Sequence, residues 1–239
     1  MSPAHDPASR TVLVTGATRG LGRRTAELLA QAGHRVLVAG RSLDDARAVV
    51  ESIGELHADA DAVAVELDVA DPASIERLAR ELARLGIDVD VLVDNAGVCL
   101  SEGPLAIDET SLALEMATNV YGPWLLMRAF VPAMVERGYG RVVNVSSGSG
   151  SFAEGLDLGT YSVSKAALDA LTVTVAREVP SDVDVLVNAV CPGWARTDMG
   201  GPHATVPVDD AAAGVIWAAT LPAGGPTGSF FRDGQPIPW

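Results

Sequence analysis

The chain has 239 residues, of which 17 are Lys or Arg and 31 are Asp or Glu, so its formal net charge is −14 at pH 7. Its 48% hydrophobic and 20% charged residues are typical of a folded globular protein and exclude a largely disordered one. The acidic balance argues against nucleic acid and anionic membranes as partners, because both repel a negatively charged protein. A ligand that carries phosphate must therefore be bound by a local cationic site.

Two cysteines, Cys99 and Cys191, are too few for a disulfide framework, and the four histidines are too scattered to predict a metal site. The first ten residues lack the apolar core of a signal peptide, and no uncharged apolar run reaches the roughly 18 residues of a membrane span. We therefore expect a soluble, cytoplasmic protein with a flexible N-terminus over residues 1–9.

Short β-rich apolar runs alternate with helix-period segments from residue 10 to about residue 220, which indicates repeated βα units around a parallel sheet. Seven strands are predicted, at residues 11–15, 35–39, 62–66, 89–93, 141–145, 183–190 and 228–231. The fold class that follows is α/β, a single-domain, Rossmann-type, doubly wound sheet over residues 10–239.

Helix boundaries carry clear signals at several points. A helix over residues 21–32 ends before Gly33, and Asp71-Pro72 supplies an N-cap followed by proline at the first helical position. Another helix is predicted over residues 159–179. Residues 110–136 are predicted to form two helical pieces or one bent helix, because Gly122-Pro123 interrupts the pattern.

The first chemical signal is a glycine-rich loop between the first strand and the first helix, with the sequence Thr15-Gly16-Ala17-Thr18-Arg19-Gly20-Leu21-Gly22. Glycines let the backbone approach a pyrophosphate closely, and the free N–H groups of a helix N-terminus bind the anion. The strand–loop–helix context predicts a dinucleotide site here.

The second signal is Tyr161 and Lys165, four residues apart on a predicted helix, where both side chains project from one face. A neighbouring ammonium would lower the pKa of a tyrosine and suit it to proton transfer. A serine at the end of a buried strand can donate its hydroxyl to a substrate carbonyl oxygen. Ser146 and Ser147 are both candidates, but a strand sends adjacent side chains to opposite faces, so only one can act.

With these motifs in their order, the chain resembles the short-chain dehydrogenase/reductase family over about residues 10–235, in the short form with TGxxxGxG and YxxxK. The resemblance assigns the catalytic residues Asn119, Ser147, Tyr161 and Lys165, with Ser147 favoured over Ser146. It also implies a cofactor site built from Gly16, Thr18, Arg19, Gly20, Leu21, Gly22, Arg41, Asp68, Val69, Asn95, Ala96, Gly97, Tyr161, Lys165, Pro192, Gly193 and Thr197.

Charge at the end of the second strand favours NADP(H) over NAD(H). Enzymes that prefer NAD place an acidic residue there, which binds the ribose hydroxyls and repels a 2′-phosphate. This chain has Gly40 followed by Arg41, and Arg19 is a second cation near the expected phosphate.

The expected activity is hydride transfer from NADPH to a ketone or aldehyde, that is, a carbonyl reductase with reversible alcohol dehydrogenase chemistry. Two alternatives stay open: a 3-oxoacyl-carrier-protein reductase with the same residues, and a non-catalytic NADP-binding redox sensor. Substrate loops are expected at residues 148–160 and 194–207, with apolar walls from Phe152, Leu156, Trp194 and Met199. The resemblance further implies a homo-oligomer, a dimer or tetramer that pairs the helices near residues 110–136 and 159–179.

Overall fold

The computed structural model describes residues 9–100 and 102–239, so the predicted flexible segment 1–9 lies almost wholly outside the described residues. In this part of the chain, eight strands form one sheet in the order β3-β2-β1-β4-β5-β6-β7-β8. The strands are β1 (Thr11–Val14), β2 (Arg35–Gly40), β3 (Ala62–Glu66), β4 (Val91–Asp94), β5 (Tyr139–Val145), β6 (Asp184–Val190), β7 (Phe230–Arg232) and β8 (Gln235–Pro236).

The first seven strands pair in parallel, and only β8 runs antiparallel to β7. The predicted parallel α/β architecture is confirmed, with eight strands where seven were predicted. The additional strand is a two-residue return after the turn at Asp233-Gly234, and a segment this short has no periodicity that a sequence pattern can detect. Strand order reverses between β1 and β4, which is where open α/β sheets bind ligands.

Helices cover both faces of the sheet and divide the apolar core into two layers. They are α1 (Gly20–Gln31), α2 (Leu43–Leu56), α3 (Pro72–Leu85), α4 (Glu109–Met116), α5 (Gly122–Arg137), α6 (Gly159–Glu178) and α7 (Val208–Ala219). One layer packs α1, α2 and α7 against the sheet, and the other packs α3, α5 and α6. Because both faces are buried, the central strands are apolar on both sides.

Local sequence signals explain how the helices begin and end. The Asp71 side chain accepts a hydrogen bond from Ala73 N (3.0 Å), and Pro72 occupies the first turn of α3. The predicted bend in residues 110–136 is a π-helical turn over Ala117–Tyr121, which joins α4 to α5. Among the described residues, no helix has the length and apolar character needed to cross a membrane.

Gly122, at the start of α5, is required by close packing against the chain after β3. A Cβ at this position would lie 2.6 Å from the Val69 carbonyl oxygen and 3.0 Å from Val69 Cβ, and backbone cannot move aside cheaply. We expect Gly122→Ala to lower the free energy of unfolding by about 1–3 kcal/mol, as overpacking does. Thermal or urea unfolding followed by circular dichroism measures this.

The matched control is Gly54→Ala in α2, where the new methyl group meets nothing within 4 Å. Because alanine is the better helix former, this variant should gain up to about 1 kcal/mol. Equal stability changes in the two variants would contradict the packing assigned to Gly122.

Candidate active site

The glycine loop follows β1 and opens α1. Gly16 and Gly20 have positive φ angles of 62° and 55°, and a Cβ on Gly22 would lie 2.4 Å from Gly16 O and 2.3 Å from Asn95 Nδ2. The N-cap residue of α1, Arg19, makes no capping hydrogen bond with its side chain, and the first turn holds no acidic residue. The N-terminus of α1 is thus a cradle whose N–H groups and dipole suit an anion.

Thr15 couples this loop to the segment that follows β4, a role that the sequence analysis did not assign to it. Its hydroxyl oxygen accepts hydrogen bonds from Asn95 N and Ala96 N (both 3.0 Å), and Asn95 Nδ2 donates to Thr15 O (2.8 Å). Asn95 therefore braces the glycine loop. Thr15 stands directly before Gly16 in the TGxxxGxG motif, and this position was the signal in the sequence that could have identified it.

The predicted cofactor residues in the loops after β2, β3 and β6 lie at the same edge of the sheet, since each of these loops follows the carboxyl end of a parallel strand. Arg41 follows β2 and is exposed, whereas Asp68 follows β3 and uses Oδ1 to accept from Ala70 N (2.9 Å). Pro192 and Gly193 follow β6, and the Thr197 side chain lies against Gly20, because a Cβ there would meet its methyl group at 3.3 Å. The loops after β1 and β6 thus contact each other at the carboxyl edge of the sheet.

Arg19 lies at this carboxyl edge of the sheet, and its side chain is largely exposed. Its Nη1 is 4.0 Å from Asp198 Oδ2, and the two side chains are 75% and 83% exposed. An ion pair this exposed contributes little free energy, so it leaves the guanidinium available to another anion.

Ser147 and Tyr161 face each other where β5 ends and α6 begins. The Ser147 hydroxyl contacts the Tyr161 hydroxyl, and this contact lowers the Tyr161 pKa, against the effect of burial. Ser146 points to the other face, toward the Asp169 carboxyl, as the alternation of a strand requires. The geometry therefore favours Ser147 over Ser146 as the partner of Tyr161.

Lys165 lies one helical turn beyond Tyr161 on α6 and is only 4% exposed. Its Nζ donates to the Val145 carbonyl oxygen (2.7 Å) at the end of β5 and sits 5.7 Å from the centre of the Tyr161 ring. Burial lowers the pKa of Lys165 to about 8, and the carboxylate of Asp169 is the strongest of the groups that oppose this shift.

The expected lowering of the Tyr161 pKa is not seen. Burial, the largest influence, raises its pKa above the usual value of about 10, and the contact with Ser147 only partly offsets the rise. A buried phenolate loses its hydration, and that loss disfavours the charged form. Burial thus makes Tyr161 a weaker acid than an ordinary tyrosine.

Asn119 lies in the π-helical turn and is fully buried. Its amide oxygen accepts from Val98 N (2.9 Å), and its amide nitrogen donates to Val98 O (2.8 Å) and Ser164 Oγ (3.0 Å). The side chain therefore ties the π-helical turn to the chain after β4 and to α6, and π-turns of this kind are frequent at functional sites.

Three buried carboxyl groups surround Lys165 and were absent from the sequence-based site. Asp94 at the end of β4, Glu115 on α4 and Asp169 on α6 all act electrostatically on its Nζ. Burial raises the pKa of Asp94 well above its usual value and that of Asp169 to about 7. No sequence pattern indicates such groups, because a single acidic residue in an apolar segment has no characteristic spacing.

Comparisons with known proteins identify the family. The family model for short chain dehydrogenase matches residues 10–205. A 3-oxoacyl-[acyl-carrier-protein] reductase of Escherichia coli strain K12 is 33% identical over 215 residues, covering 90% of this chain and 83% of its own. The corresponding reductase of Aquifex aeolicus is 36% identical over 187 residues, covering 78% and 74%.

Among solved structures, an NADPH-bound carbonyl reductase from chicken fatty liver aligns with a TM-score of 0.83 and 28% identity, over 97% of this chain and 99% of its own. The chain therefore belongs to the short-chain dehydrogenase/reductase family. It is an oxidoreductase with the single-domain Rossmann-like fold of that family, as its motifs predict.

Proposed function

We propose that this protein is an NADPH-dependent carbonyl reductase that converts a ketone or aldehyde into an alcohol. The observation that carries the proposal is the facing pair of Ser147 and Tyr161, with the buried amine of Lys165 one helical turn away. A hydroxyl that can hold an oxygen, a phenol that can protonate it and a nearby cation are the groups that carbonyl reduction needs.

The cofactor preference rests on local charge. Gly40 ends β2 where an NAD-preferring enzyme has an acid, and the exposed Arg19 and Arg41 offer two guanidinium groups to a 2′-phosphate. The uncapped N-terminus of α1 would hold the pyrophosphate, and Asn95, Ala96, Gly97, Pro192, Gly193 and Thr197 would line the rest of the site. The NADPH-bound carbonyl reductase supports this choice. Bound NADPH supplies the hydride that reduces the carbonyl carbon.

The four catalytic side chains have separate roles in the proposed reaction. Ser147 donates its hydroxyl to the carbonyl oxygen and stabilises the negative charge that develops there. Tyr161 transfers its phenolic proton to that oxygen, since a tyrosine carries this proton at neutral pH. Lys165 stabilises the phenolate that remains and passes on a replacement proton from solvent. Asn119 supports this relay through the π-helical turn that it fixes.

The 3-oxoacyl-carrier-protein reductase is the second candidate, and the two bacterial relatives support it. Its catalytic residues would be the same, so only the substrate surface separates the two activities. The net charge of −14 disfavours docking of an acidic carrier protein, which favours small free substrates. A non-catalytic NADP-binding sensor is less favoured, because Ser147, Tyr161 and Lys165 are all present.

Substrate turnover tests the proposal directly. NADPH oxidation, measured beside NADH oxidation over ketones, aldehydes, quinones and β-keto thioesters, should proceed faster with NADPH. Tyr161→Phe should lower kcat by about 100- to 10,000-fold, because it removes the proton donor. Tyr139→Phe, which removes the same hydroxyl at the opposite end of β5, is the matched control and should retain full activity.

Preference for a β-keto thioester over every free ketone would favour the carrier-protein reductase. Full activity in Tyr161→Phe would contradict the role of Tyr161, and NADPH binding without turnover of any substrate would support the sensor.

We also propose a homo-oligomer that pairs two copies through an apolar groove between the α4–α5 segment and α6. The groove is lined by Met116, Val120, Tyr121, Trp124, Ala167, Ala170, Leu171 and Thr174. Tyr121 and Trp124 are 58% and 39% exposed, although they pack edge to face at 6.4 Å. These are the two helical regions for which family resemblance implies pairing.

Trp124→Glu should convert the oligomer into a monomer, because it places a charge in the apolar contact. Light scattering after size-exclusion chromatography measures the mass, and Trp194→Glu, outside the groove, is the control. A wild-type monomer, or an unchanged mass in Trp124→Glu, would contradict this interface.

A cytoplasmic location remains part of the proposal, supported by the absence of a predicted disulfide framework, and cell fractionation tests it. The net charge of −14 disfavours nucleic acid and anionic membranes as partners, so the carbonyl substrate is the partner we propose.

A further inference from the structure

Arg232, the last residue of β7, and the C-terminal tail hold the loop between β5 and α6, here called the substrate loop (residues 148–158). The Arg232 guanidinium forms a two-pronged ion pair with the Glu154 carboxylate in this loop, with Nη1 2.9 Å from Oε1 and Nη2 on Oε2. About two thirds of each side chain is shielded from solvent. Paired hydrogen bonds of this kind fix geometry better than a single contact.

The same guanidinium also contacts Cys191, the first residue after β6. Cys191 Sγ accepts from Arg232 Nε (3.4 Å) and Nη2 (3.3 Å), and it accepts from Gly148 N (3.2 Å). A Cβ on Gly148 would lie 2.3 Å from Glu154 Oε2 and 2.5 Å from Arg232 Nη2. The ion pair thus packs directly on the residue that follows Ser147.

The C-terminal tail adds two further attachments to the loop. The Ser151 hydroxyl donates to the Pro238 carbonyl oxygen (2.9 Å), and Ala153 N donates to the Trp239 carbonyl oxygen (3.3 Å). The Trp239 ring stacks on Phe230 of β7 with centroids 5.2 Å apart, which secures the tail itself.

Phe152 stands between these attachment points and is nevertheless 79% exposed. Its neighbours Ser151, Ala153 and Glu154 are all fixed by the tail or by Arg232, so its exposure does not come from a loose backbone. A phenylalanine side chain left in water forgoes the favourable free energy of burial. A ligand with an apolar group could recover this free energy.

We propose that Arg232 and Glu154 are positioning residues that hold the substrate loop so that Phe152 contacts an apolar substituent of the carbonyl substrate. This inference deepens the proposed function and rests on it for the identity of the ligand. It assigns the active site to aryl or alkyl ketones rather than to small polar carbonyl compounds. The Arg232–Glu154 ion pair is here called the clamp. It involves a residue from the C-terminal part of the same chain, and its effect reaches Ser147 through Gly148.

The clamp can be tested without turnover, by hydrogen exchange of peptides that cover residues 148–158. Glu154→Gln and Arg232→Met should each speed exchange there by about tenfold, because losing a charge-assisted pair of hydrogen bonds releases the loop. The double variant Glu154→Arg with Arg232→Glu should restore slow exchange. Arg137→Met breaks a similar pair with Asp88 at the other edge of the sheet and should leave the loop unchanged.

The ligand preference is tested on the protein loaded with NADP⁺, using propiophenone and acetone as probes. Phe152→Ala, Glu154→Gln and Arg232→Met should raise the dissociation constant of propiophenone by about tenfold and change that of acetone by less than about twofold. NADPH affinity should not change. In turnover, KM for propiophenone should rise while kcat stays within about twofold, since the chemistry of Tyr161 is untouched.

Unchanged exchange in the single variants would overturn the clamp, whatever the activity. Faster exchange with an unchanged ratio of propiophenone to acetone affinity would overturn the role of the loop in selectivity. Binding of propiophenone without reduction, in a wild-type protein whose clamp behaves as described, would contradict the proposed function and leave the positioning role supported.

Discussion

The bond from Lys165 Nζ to the Val145 carbonyl oxygen is the contact on which the active site depends. It ties α6 to the last residue of β5, and so sets the distance between Tyr161 on the helix and Ser147 just beyond the strand. Burying an amine removes its hydration, which lowers the pKa of Lys165 to about 8. The chain compensates with the Asp169 carboxyl one turn further along the same helix.

This arrangement places Tyr161 and Lys165 under opposite influences. Burial holds the proton on the Tyr161 phenol and weakens the hold of Lys165 on its own proton, so both groups are displaced from their ordinary pKa values. Pairs of groups whose environments push their pKa values in this way are characteristic of proton-transfer sites. Ser147 needs no change of its protonation state, since its role is only to donate its hydroxyl to an oxygen.

Much of this could be predicted from the sequence, because local signals and global fold agree for the central strands and for the glycine loop. The parallel order, the helix caps at Asp71 and the site at the carboxyl edge all follow from patterns of fewer than about 20 residues. The choice between Ser146 and Ser147 was open on chemistry alone. It depends on which face of β5 meets α6, and that becomes visible only once the chain is folded.

Other features could not be predicted, because they arise between segments that are distant in the sequence. Arg232 reaches Glu154 across 78 residues, and Asp94 approaches Lys165 from another strand. The pKa of Tyr161 went against the expectation, since spacing shows that a lysine is near but not how much water is excluded. The two-residue strand β8 was too short to leave a pattern.

The local cations explain how an acidic protein can bind a phosphorylated cofactor. The average field of a chain with a net charge of −14 repels polyphosphate, so we propose that Arg19, Arg41 and the N-terminus of α1 bind the phosphates locally. Arg232 is a cation of a different kind, because Glu154 neutralises it. In the proposed site, the cations that bind phosphate are thus separate from the charge-balanced pair that holds the substrate loop.

The pH profile of kcat/KM for NADPH-dependent ketone reduction tests the role of Lys165 most directly. The account predicts a plateau that falls above about pH 8, where Lys165 loses its proton. In Asp169→Asn the fall should begin at lower pH, because the carboxylate that favours the ammonium is gone. A profile without any ionisation between about pH 7 and about pH 9, or one that Asp169→Asn leaves unchanged, would contradict the account.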